Sequence, residues 1–378
     1  MEQILARLKG KARLQPDSFS NLAGWYADDI VQAHSVFSAT CRAILGNTGA
    51  LRTGTAPPKW LARLCKEGLV LSVNSDPVAL RKYYEINFRP CLVMPEDNGI
   101  ASTDGFATGY YEPEVAGSFA KSGKFSEPLL GLPAAHQVLD AKTRYPSLPS
   151  DVSTALKMPD GTLTAYPDRA AITSGTISSL AAPLLWVRDG VEAFMIHVQG
   201  SARIRLQNGK LLRLKYAGRN GHPYTSIGKK LVQKLAIPPS KVSMTFLKDW
   251  IRAAGQNRGE PGRLLMEENQ SYIFFQLDLD IKEEAGPIGA AGISLSPLRS
   301  LAVDRNLWPY GLLFWIDAEL PWKSAGLSPF RRLMVAQDTG SAILGPARGD
   351  IFFGSGAKAG ELAGAIRHPA RFHVLLPR

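Results

Sequence analysis

Hydrophobic positions recur with a helical period near the start of the chain. In residues 18–47 they repeat about every 3.6 positions and stop at Gly46 and Asn47, which predicts a largely helical segment. Asp76 followed by Pro77 predicts the start of a short helix, because Asp caps helix N-termini and Pro fits the first helical position. The apolar run 91–94 predicts a buried strand.

From about residue 106 to 216 the pattern changes to short apolar runs broken by glycine, which is typical of strands and turns. Asp189-Gly190 and Asn208-Gly209 are hairpin signals, because both pairs accept the left-handed backbone of tight turns. The paired strands predicted around them are 184–187 with 193–198 and 202–206 with 210–216. This part is therefore expected to be an antiparallel barrel or curled sheet, with 117–150 as a long loop or part of a binding rim.

Two helices and then further strands are predicted beyond residue 216. Ser226 and Ser243 are N-caps for helices over Ile227–Leu235 and about 244–254. Ser296-Pro297 predicts a helical piece over 298–303. The predicted strands are 272–277, 311–316, 334–337, 350–353 and 372–376.

Length and charge narrow the classes of protein. A chain of 378 residues exceeds the size at which one core stops growing, so two domains are expected. The net charge of +11 indicates an anionic partner, such as an acidic polysaccharide, acidic lipid or nucleic acid. Nucleic acid is disfavoured, because no base-reading motif occurs.

Cysteine and histidine spacing argues against a metal site. Cys41, Cys65 and Cys91 form no CxxC pair, and the histidines form no HExxH motif. One disulfide is possible between any two of the three cysteines. The sequence contains no run of eighteen apolar residues, so no transmembrane helix is predicted. The N-terminus shows no signal peptide and no lipidation cysteine.

Two aspartates near the C-terminus are the strongest candidates for catalytic residues. Asp338 and Asp350 stand twelve positions apart among glycines and small residues. A carboxylic acid in such a setting can exchange a proton with a substrate oxygen. The alternative is that each Asp only forms a turn.

Polar residues on the predicted β segments suit a saccharide, because sugars need flat apolar faces and amides that both donate and accept. Equally, tyrosines and amides can satisfy one another inside a barrel. His197 is interpreted as a packed or exposed strand residue, and Glu112 as a strand exit that could supply an acid. The candidate substrate-binding residues are Thr108, Tyr110, Tyr111, Gln199, Gly200, Ser201, Tyr216 and Asn220.

Ordered motifs over about residues 100–375 resemble the MltA family of membrane-bound lytic murein transglycosylases. They are Gly109-Tyr110-Tyr111-x-Pro113, His197-Val198-Gln199-Gly200-Ser201, Tyr216-Ala217-Gly218-x-Asn220-Gly221-His222, Asn269-x-Ser271-Tyr272, Asp338-x-Gly340-x-Ala342-Ile343 and Gly349-Asp350-Ile351-Phe352-x-Gly354. The chain departs from the family pattern at Ser341, where glycine is usual, and at Leu344 and Phe352, where lysine and tyrosine can occur.

The resemblance implies a mainly β fold with helices. A double-psi β-barrel domain with N-terminal helices, residues 1–108 plus 272–378, would carry the catalytic Asp. A second, barrel-like β domain, residues 109–271, would be inserted into it, and a groove between the two would bind the glycan.

The resemblance also implies the chemistry. The enzyme would cleave the β-1,4 bond between N-acetylmuramic acid and N-acetylglucosamine, with Asp350 as the single catalytic acid, Asp338 beside it, and no metal or cofactor. Peptidoglycan strands would be the partner, together with possible cell-wall synthesis or division proteins, and the location would be periplasmic with possible outer-membrane association. The alternatives are a glycoside hydrolase releasing reducing-end sugars, which needs a second carboxylate, and a non-catalytic peptidoglycan-binding module.

Overall fold

The computed structural model describes residues 2–71, 76–97, 99–140 and 143–378. Its helices are α1 Glu2–Leu8, α2 Ile30–Leu45, α3 Lys59–Gly68, α4 Pro77–Asn87, α5 Arg169–Thr173, α6 Gly190–Gln199, α7 Ile227–Leu235, α8 Met244–Ala253, α9 Pro261–Glu267 and α10 Ala357–Gly364. Its strands are β1 Ala12–Pro16, β2 Phe88–Asp97, β3 Ile100–Ala101, β4 Gly105–Glu112, β5 Glu114–Ser118, β6 Glu127–Leu130, β7 His136–Val138, β8 Thr154–Lys157, β9 Leu163–Ala165, β10 Pro183–Val187, β11 Ala202–Arg205, β12 Leu211–Arg219, β13 Ile273–Asp278, β14 Ser300–Ala302, β15 Leu313–Leu320, β16 Ser328–Asp338, β17 Arg348–Ser355 and β18 Arg367–Pro377.

The chain forms two compact units, Met1–Tyr111 with Glu284–Arg378, and Glu112–Glu283. The second unit is therefore inserted into the first. The sequence-based division at 271/272 assigned β13 to the first domain, whereas β13 pairs with β12 of the second unit.

A closed six-stranded double-psi β-barrel forms the centre of the first unit. The strand order β18–β15–β16–β14–β17–β4 returns to β18, because β18 pairs with β15 through 371–375 and with β4 through 367–370. The short strand β14 lies between β16, to which it is parallel, and β17, to which it is antiparallel. The barrel core is apolar and includes the fully buried Trp25, Trp308 and Trp315.

Two buried polar links hold the segment around β14 in place. Arg299, just before β14, has no exposed surface and donates Nη1 to Asp28 Oδ2 at 2.7 Å and Nη2 to Asp28 Oδ1 at 2.8 Å. Asp28 also accepts the backbone N–H of Leu333 on β16. Ser300 donates to the side chain of Gln337, whose amide donates to Thr40 of α2 at 2.8 Å. These bonds satisfy buried groups that would otherwise destabilise the fold, and they fix β14 against β16.

The second unit is built on a six-stranded sheet of its own. Its order is β13–β12–β11–β5–β10–β6, and an isolated bridge between Gly131 and Phe275 joins its two edges into a barrel-like shape. Helices α6, α7, α8 and α9 contribute to a separate apolar cluster, and β7, β8 and β9 form a small sheet.

Many local predictions are confirmed. Asp76 accepts the N–H of Val78 at the start of α4, and Ser226 and Ser243 cap α7 and α8. Strand β2 covers the predicted run 91–94, and β11 and β12 form the hairpin across Asn208-Gly209. The five C-terminal strands lie where they were predicted, as β13 and β15–β18.

Three predictions are wrong. Residues 193–198 belong to helix α6 rather than a strand, since Asp189 caps that helix by accepting the N–H of Glu192. Residues 298–303 contain strand β14 rather than a helix. The segment 117–150 is not one loop, because it contains β6 and β7. In the N-terminal segment 18–47, the α-helix begins only at Ile30.

The structure also assigns the cysteines. Cys41 of α2 is bonded to Cys65 of α3, and Cys91 is a buried free thiol. Across the described ranges, none of the helices combines the length and apolar character needed to cross a bilayer.

Candidate active site

One residue of β14 brings the two aspartates together. Ala302 is the register partner of both Asp338 on β16 and Asp350 on β17. Residues directly opposite each other in a sheet project to the same face, and neighbouring strands lie about 4.8 Å apart. The two aspartates therefore stand on one face of the barrel wall with β14 between them, two inter-strand spacings apart.

Strand β4 supplies a polar partner for each aspartate. Thr108 and Tyr110 are two positions apart, so their side chains point to the same face. Thr108 Oγ1 lies 2.5 Å from Asp350 Oδ1, and Tyr110 Oη lies 2.8 Å from Asp338 Oδ2. Phe352, two positions after Asp350, packs against the Tyr110 ring with centroids 5.3 Å apart. These side chains form one half-buried cluster within the first unit.

Arg348 fixes the direction of the hydrogen bond to Asp350. Its Nη2 donates to Thr108 Oγ1 at 2.7 Å, and a guanidinium group cannot accept a hydrogen bond. The single hydroxyl proton of Thr108 is therefore directed to Asp350. The result is a relay in which Arg348 holds Thr108, and Thr108 holds the carboxyl group.

The pKa of Asp350 is raised to about 6, because burial disfavours its charged form. The positive charge of Arg348 and the Thr108 hydrogen bond oppose this rise, while the negative charge of Asp338 adds to it. A carboxyl group that is to donate a proton near neutral pH needs a pKa raised in this direction. An acid with this pKa is partly protonated near neutral pH.

Asp338 has a different setting. Its Oδ1 accepts the N–H groups of Ala290 and Thr339, both at 2.9 Å, and its Oδ2 accepts the Tyr110 hydroxyl. Burial raises the pKa of Asp338, but these three donors and Arg52 pull in the other direction. Hydrogen bonds from backbone N–H groups stabilise a carboxylate. Asp338 is thus the better stabilised anion of the pair, and Asp350 is the carboxyl group that retains its proton more readily.

Tyr111 points away from this cluster. It follows Tyr110 on β4, so alternation sends its side chain to the opposite face, against α10. A Cβ atom at Gly360 would lie 2.6 Å from the Tyr111 ring, which explains why that helix position is glycine. The structure places Tyr111 in packing rather than beside the aspartates.

The candidates Gln199, Gly200, Ser201 and Tyr216 lie in the second unit. Gln199 ends α6 and Gly200 caps it with a left-handed backbone, φ +81°, where glycine is favoured. The sequence analysis expected these two residues on a β segment, whereas they lie at the end of a helix. Ser201 is buried and Tyr216 lies on β12.

Asn220 is a structural residue. It has no exposed surface, and its amide donates to the carbonyls of Pro167 and Gln270 and accepts the N–H of Tyr272. Both N–H donors of the amide and its oxygen are thus bonded to backbone groups. This corrects its prediction as a substrate-binding residue.

Glu112 is committed to a buried ion cluster. It has no exposed surface, and it accepts Arg213 Nε at 2.6 Å and Arg203 Nε at 3.1 Å. Arg203 and Arg213 therefore engage both of its carboxylate oxygens within a buried cluster.

Two residues of the cluster were missed by sequence reasoning. Arg348 stands two positions before Asp350, and strand alternation alone could have placed it on the same face. Ala302 carried no signal, because its segment was predicted as a helix. Within the parts of the chain that the structure describes, no group of three or more His, Cys, Asp or Glu side chains could hold a metal ion.

Comparison with known proteins agrees with this architecture. Residues 106–276 match the family model described as the MltA specific insert domain, and residues 299–376 match the model described as the 3D domain. A membrane-bound lytic murein transglycosylase from Agrobacterium tumefaciens is 34% identical, with a TM-score of 0.83 over 97% of this chain and 98% of that one. MltA from Neisseria gonorrhoeae is 28% identical, with a TM-score of 0.75 over 97% and 93%.

The fold and the two matching family models together define a double-psi β-barrel protein that carries an MltA specific insert domain. The chain belongs to the MltA family of membrane-bound lytic murein transglycosylases. Membrane-bound lytic murein transglycosylase A of Vibrio cholerae is 30% identical over 273 residues. That alignment covers 70% of this chain and 63% of the Vibrio protein, which is less than two thirds of its length.

Proposed function

We propose that this protein is a peptidoglycan lytic transglycosylase. It cleaves the β-1,4 bond between N-acetylmuramic acid and N-acetylglucosamine and leaves a 1,6-anhydromuramic acid end. The observation that carries the proposal is Asp350, a half-buried carboxyl group with a pKa of about 6 held by the Thr108–Arg348 relay. The names of the related proteins, which specify murein as the substrate, support the choice of glycan.

A single acid suffices for this reaction because the nucleophile belongs to the substrate. Protonated Asp350 donates its proton to the glycosidic oxygen as that bond breaks. The 6-hydroxyl of the same muramic acid attacks the anomeric carbon, and the ionised Asp350 then accepts the hydroxyl proton. Intramolecular attack reaches effective molarities of about 10⁵ M or more, so no activated water is required.

The setting of Asp338 supports one catalytic carboxyl group rather than two. A hydrolase needs a second carboxylate that is free to act as a nucleophile or to activate water. Both oxygens of Asp338 already accept hydrogen bonds from Tyr110, Ala290 and Thr339. In this proposal Asp338 orients Tyr110 and raises the pKa of Asp350 through its charge.

The test is the product that the purified protein releases from peptidoglycan sacculi, identified by mass spectrometry. We expect anhydromuropeptides, which lack a reducing end and weigh one water less than hydrolysis products. Asp350→Asn keeps the size of the side chain but removes the acid, and we expect turnover to fall by about 10²–10⁴-fold. Asp151→Asn, at an exposed loop position, is the matched control and should retain wild-type turnover.

Release of reducing-end muropeptides would refute the intramolecular mechanism. Wild-type turnover by folded Asp350→Asn protein would refute the assignment of the acid.

The proposal also includes murein as the substrate and the periplasmic location that this substrate entails. The net charge of +11 should make binding to sacculi sensitive to salt.

A further inference from the structure

Asp350 uses only one of its two carboxyl oxygens inside the protein. Its Oδ1 accepts the Thr108 hydroxyl, whereas Oδ2 has no hydrogen bond to any of the described residues. Oδ2 is also not one of the fully buried, unbonded side-chain atoms in the described part of the chain, so it reaches the surface. One oxygen is therefore bonded within the barrel wall, and the other is accessible to a ligand.

The contacts of Thr108 allow one arrangement of protons. Its Oγ1 accepts from Arg348 Nη2 at 2.7 Å, and a guanidinium group cannot accept in return. If protonated Asp350 donated from Oδ1 to Thr108, the Thr108 proton would have no acceptor among the described residues. The hydroxyl therefore donates to Oδ1, and the acidic proton of Asp350 is excluded from that oxygen, since two protons would otherwise face each other.

Arg348 is itself held in the position from which it donates. Its Nη1 donates to the Gly349 carbonyl at 2.5 Å, and its guanidinium lies 5.7 Å from the centre of the Phe106 ring. Phe106 and Arg348 stand two positions before Thr108 and Asp350 on the neighbouring strands β4 and β17, so all four side chains share one face. The contact between Arg348 and the acid runs through Thr108.

We propose that Arg348 is a positioning residue that fixes the acidic proton of Asp350 on Oδ2. This inference rests on the proposed function and deepens it. The O–H bond at Oδ2 breaks as the glycosidic oxygen gains the proton, and its electron pair stays on the carboxylate. The 6-hydroxyl proton then returns to Oδ2, so the carboxyl group ends as it began, and the Thr108 proton does not move.

The same contacts stabilise Asp350 after it has lost its proton. The charge of Arg348 and the Thr108 hydrogen bond both lower the pKa of Asp350, against the larger effect of burial. Neither contact has to be rearranged when the carboxyl group ionises. Arg348 thus keeps the donor oxygen free and also favours the departure of the proton from it.

Neutron crystallography of the full-length protein in deuterated buffer locates this proton directly. At about pH 4.5, below the pKa of about 6, Asp350 is protonated. We expect deuterium on Oδ2, and the Thr108 deuterium pointing to Oδ1. Deuterium on Oδ1 would overturn the proposal. Because no substrate is needed, this result is independent of whether the proposed reaction is correct.

Variants of Arg348 test its role in turnover. Arg348→Met frees Thr108 to accept from Oδ1, so kcat below pH 6 should fall about 3–10-fold, the population change that one neutral hydrogen bond produces. KM should stay unchanged. The alkaline limb of the pH–turnover profile should move to higher pH, because a charge that lowers the pKa of Asp350 is lost. Arg348→Lys keeps a charged donor and should restore most of the turnover and the position of the limb.

The matched control is Arg42→Met, which removes a positive charge at an exposed position of helix α2 and should change neither kcat nor the limb. The proposal is overturned if Arg348→Met has the turnover and pH profile of the wild type. It is also overturned if both Arg348 variants lose turnover with an unmoved limb, because Arg348 would then only stabilise the fold. Reducing-end products from a wild type with deuterium on Oδ2 would support the proton assignment and refute the intramolecular step of the proposed function.

Discussion

Replacing Asp350 by Asn should stabilise the protein above pH 6 and do so progressively less as the pH falls. The pKa of Asp350 is about 6 in the folded state, against an ordinary value of 3.8, and burial is the main cause. A carboxyl group whose folded-state pKa is raised contributes its full stability below pH 3.8. That contribution is lost as the pH rises through 6, because the folded state must then hold a buried charge.

The magnitude follows from the difference in pKa. A shift of about 2.2 units corresponds to about 3 kcal/mol, at 1.36 kcal/mol per unit. The Asn variant does not titrate, so any constant effect of the substitution cancels between two pH values. For a unit of about 200 residues, this predicts a change of about 6–12 °C in the Tm difference between variant and wild type.

Calorimetric melting of both proteins at pH 4 and pH 7.5 measures this difference, with Asp151→Asn as the control for removing one negative charge. The variant should gain stability relative to wild type on going from pH 4 to 7.5, and the control should not. A Tm difference that is the same at both pH values would show that Asp350 titrates normally. The acid role argued from its burial would then lose its basis.

Three further changes test other parts of the structure. Thr108→Val removes the hydrogen bond that lowers the pKa of Asp350, so the alkaline limb of the pH–turnover profile should move to higher pH, whereas Thr108→Ser should keep it in place. Arg299→Met leaves the buried charge of Asp28 without its partner and should destabilise the protein by about 3–5 kcal/mol in urea unfolding; a loss below 1 kcal/mol would contradict the assigned link. Asn220→Ala should cost about 1–3 kcal/mol per unsatisfied backbone group with unchanged turnover per folded molecule; lost turnover at unchanged stability would restore it as a binding residue.

Local signals predicted the elements that depend on local chemistry. Ser226 and Ser243 were predicted as caps because serine favours helix N-termini. In the structure each side chain accepts a backbone N–H three residues further on. Asn208-Gly209 was recognised because a tight turn needs a left-handed backbone, and Gly209 has φ +83°. These features require no knowledge of the rest of the fold.

The wrong secondary-structure predictions arose where one sequence pattern is compatible with two local structures. Asp189-Gly190 resembles a hairpin turn, but Asp189 accepts the N–H of Glu192, as an N-cap does. Helix α6 is buried on nearly every side, from Gly190 to His197, so it shows no amphipathic period that would distinguish it from a strand. Ser296-Pro297 resembles a helix start, but Leu298 adopts φ +57° and the chain enters β14 instead.

The pairing of Asp338 with Asp350 could not be derived from the sequence by periodicity, because it depends on a third strand. The two residues lie on β16 and β17, which are separated in the sheet by β14; each is the register partner of Ala302, which precedes them by 36 and 48 positions. With both aspartates on one face of the barrel wall, strand β4 gives each a different hydrogen-bond donor: Thr108 for Asp350 and Tyr110 for Asp338. Two carboxyl groups with unequal hydrogen bonding differ in proton affinity. The long-range register, rather than the spacing of the two aspartates, therefore gives Asp338 and Asp350 their different surroundings.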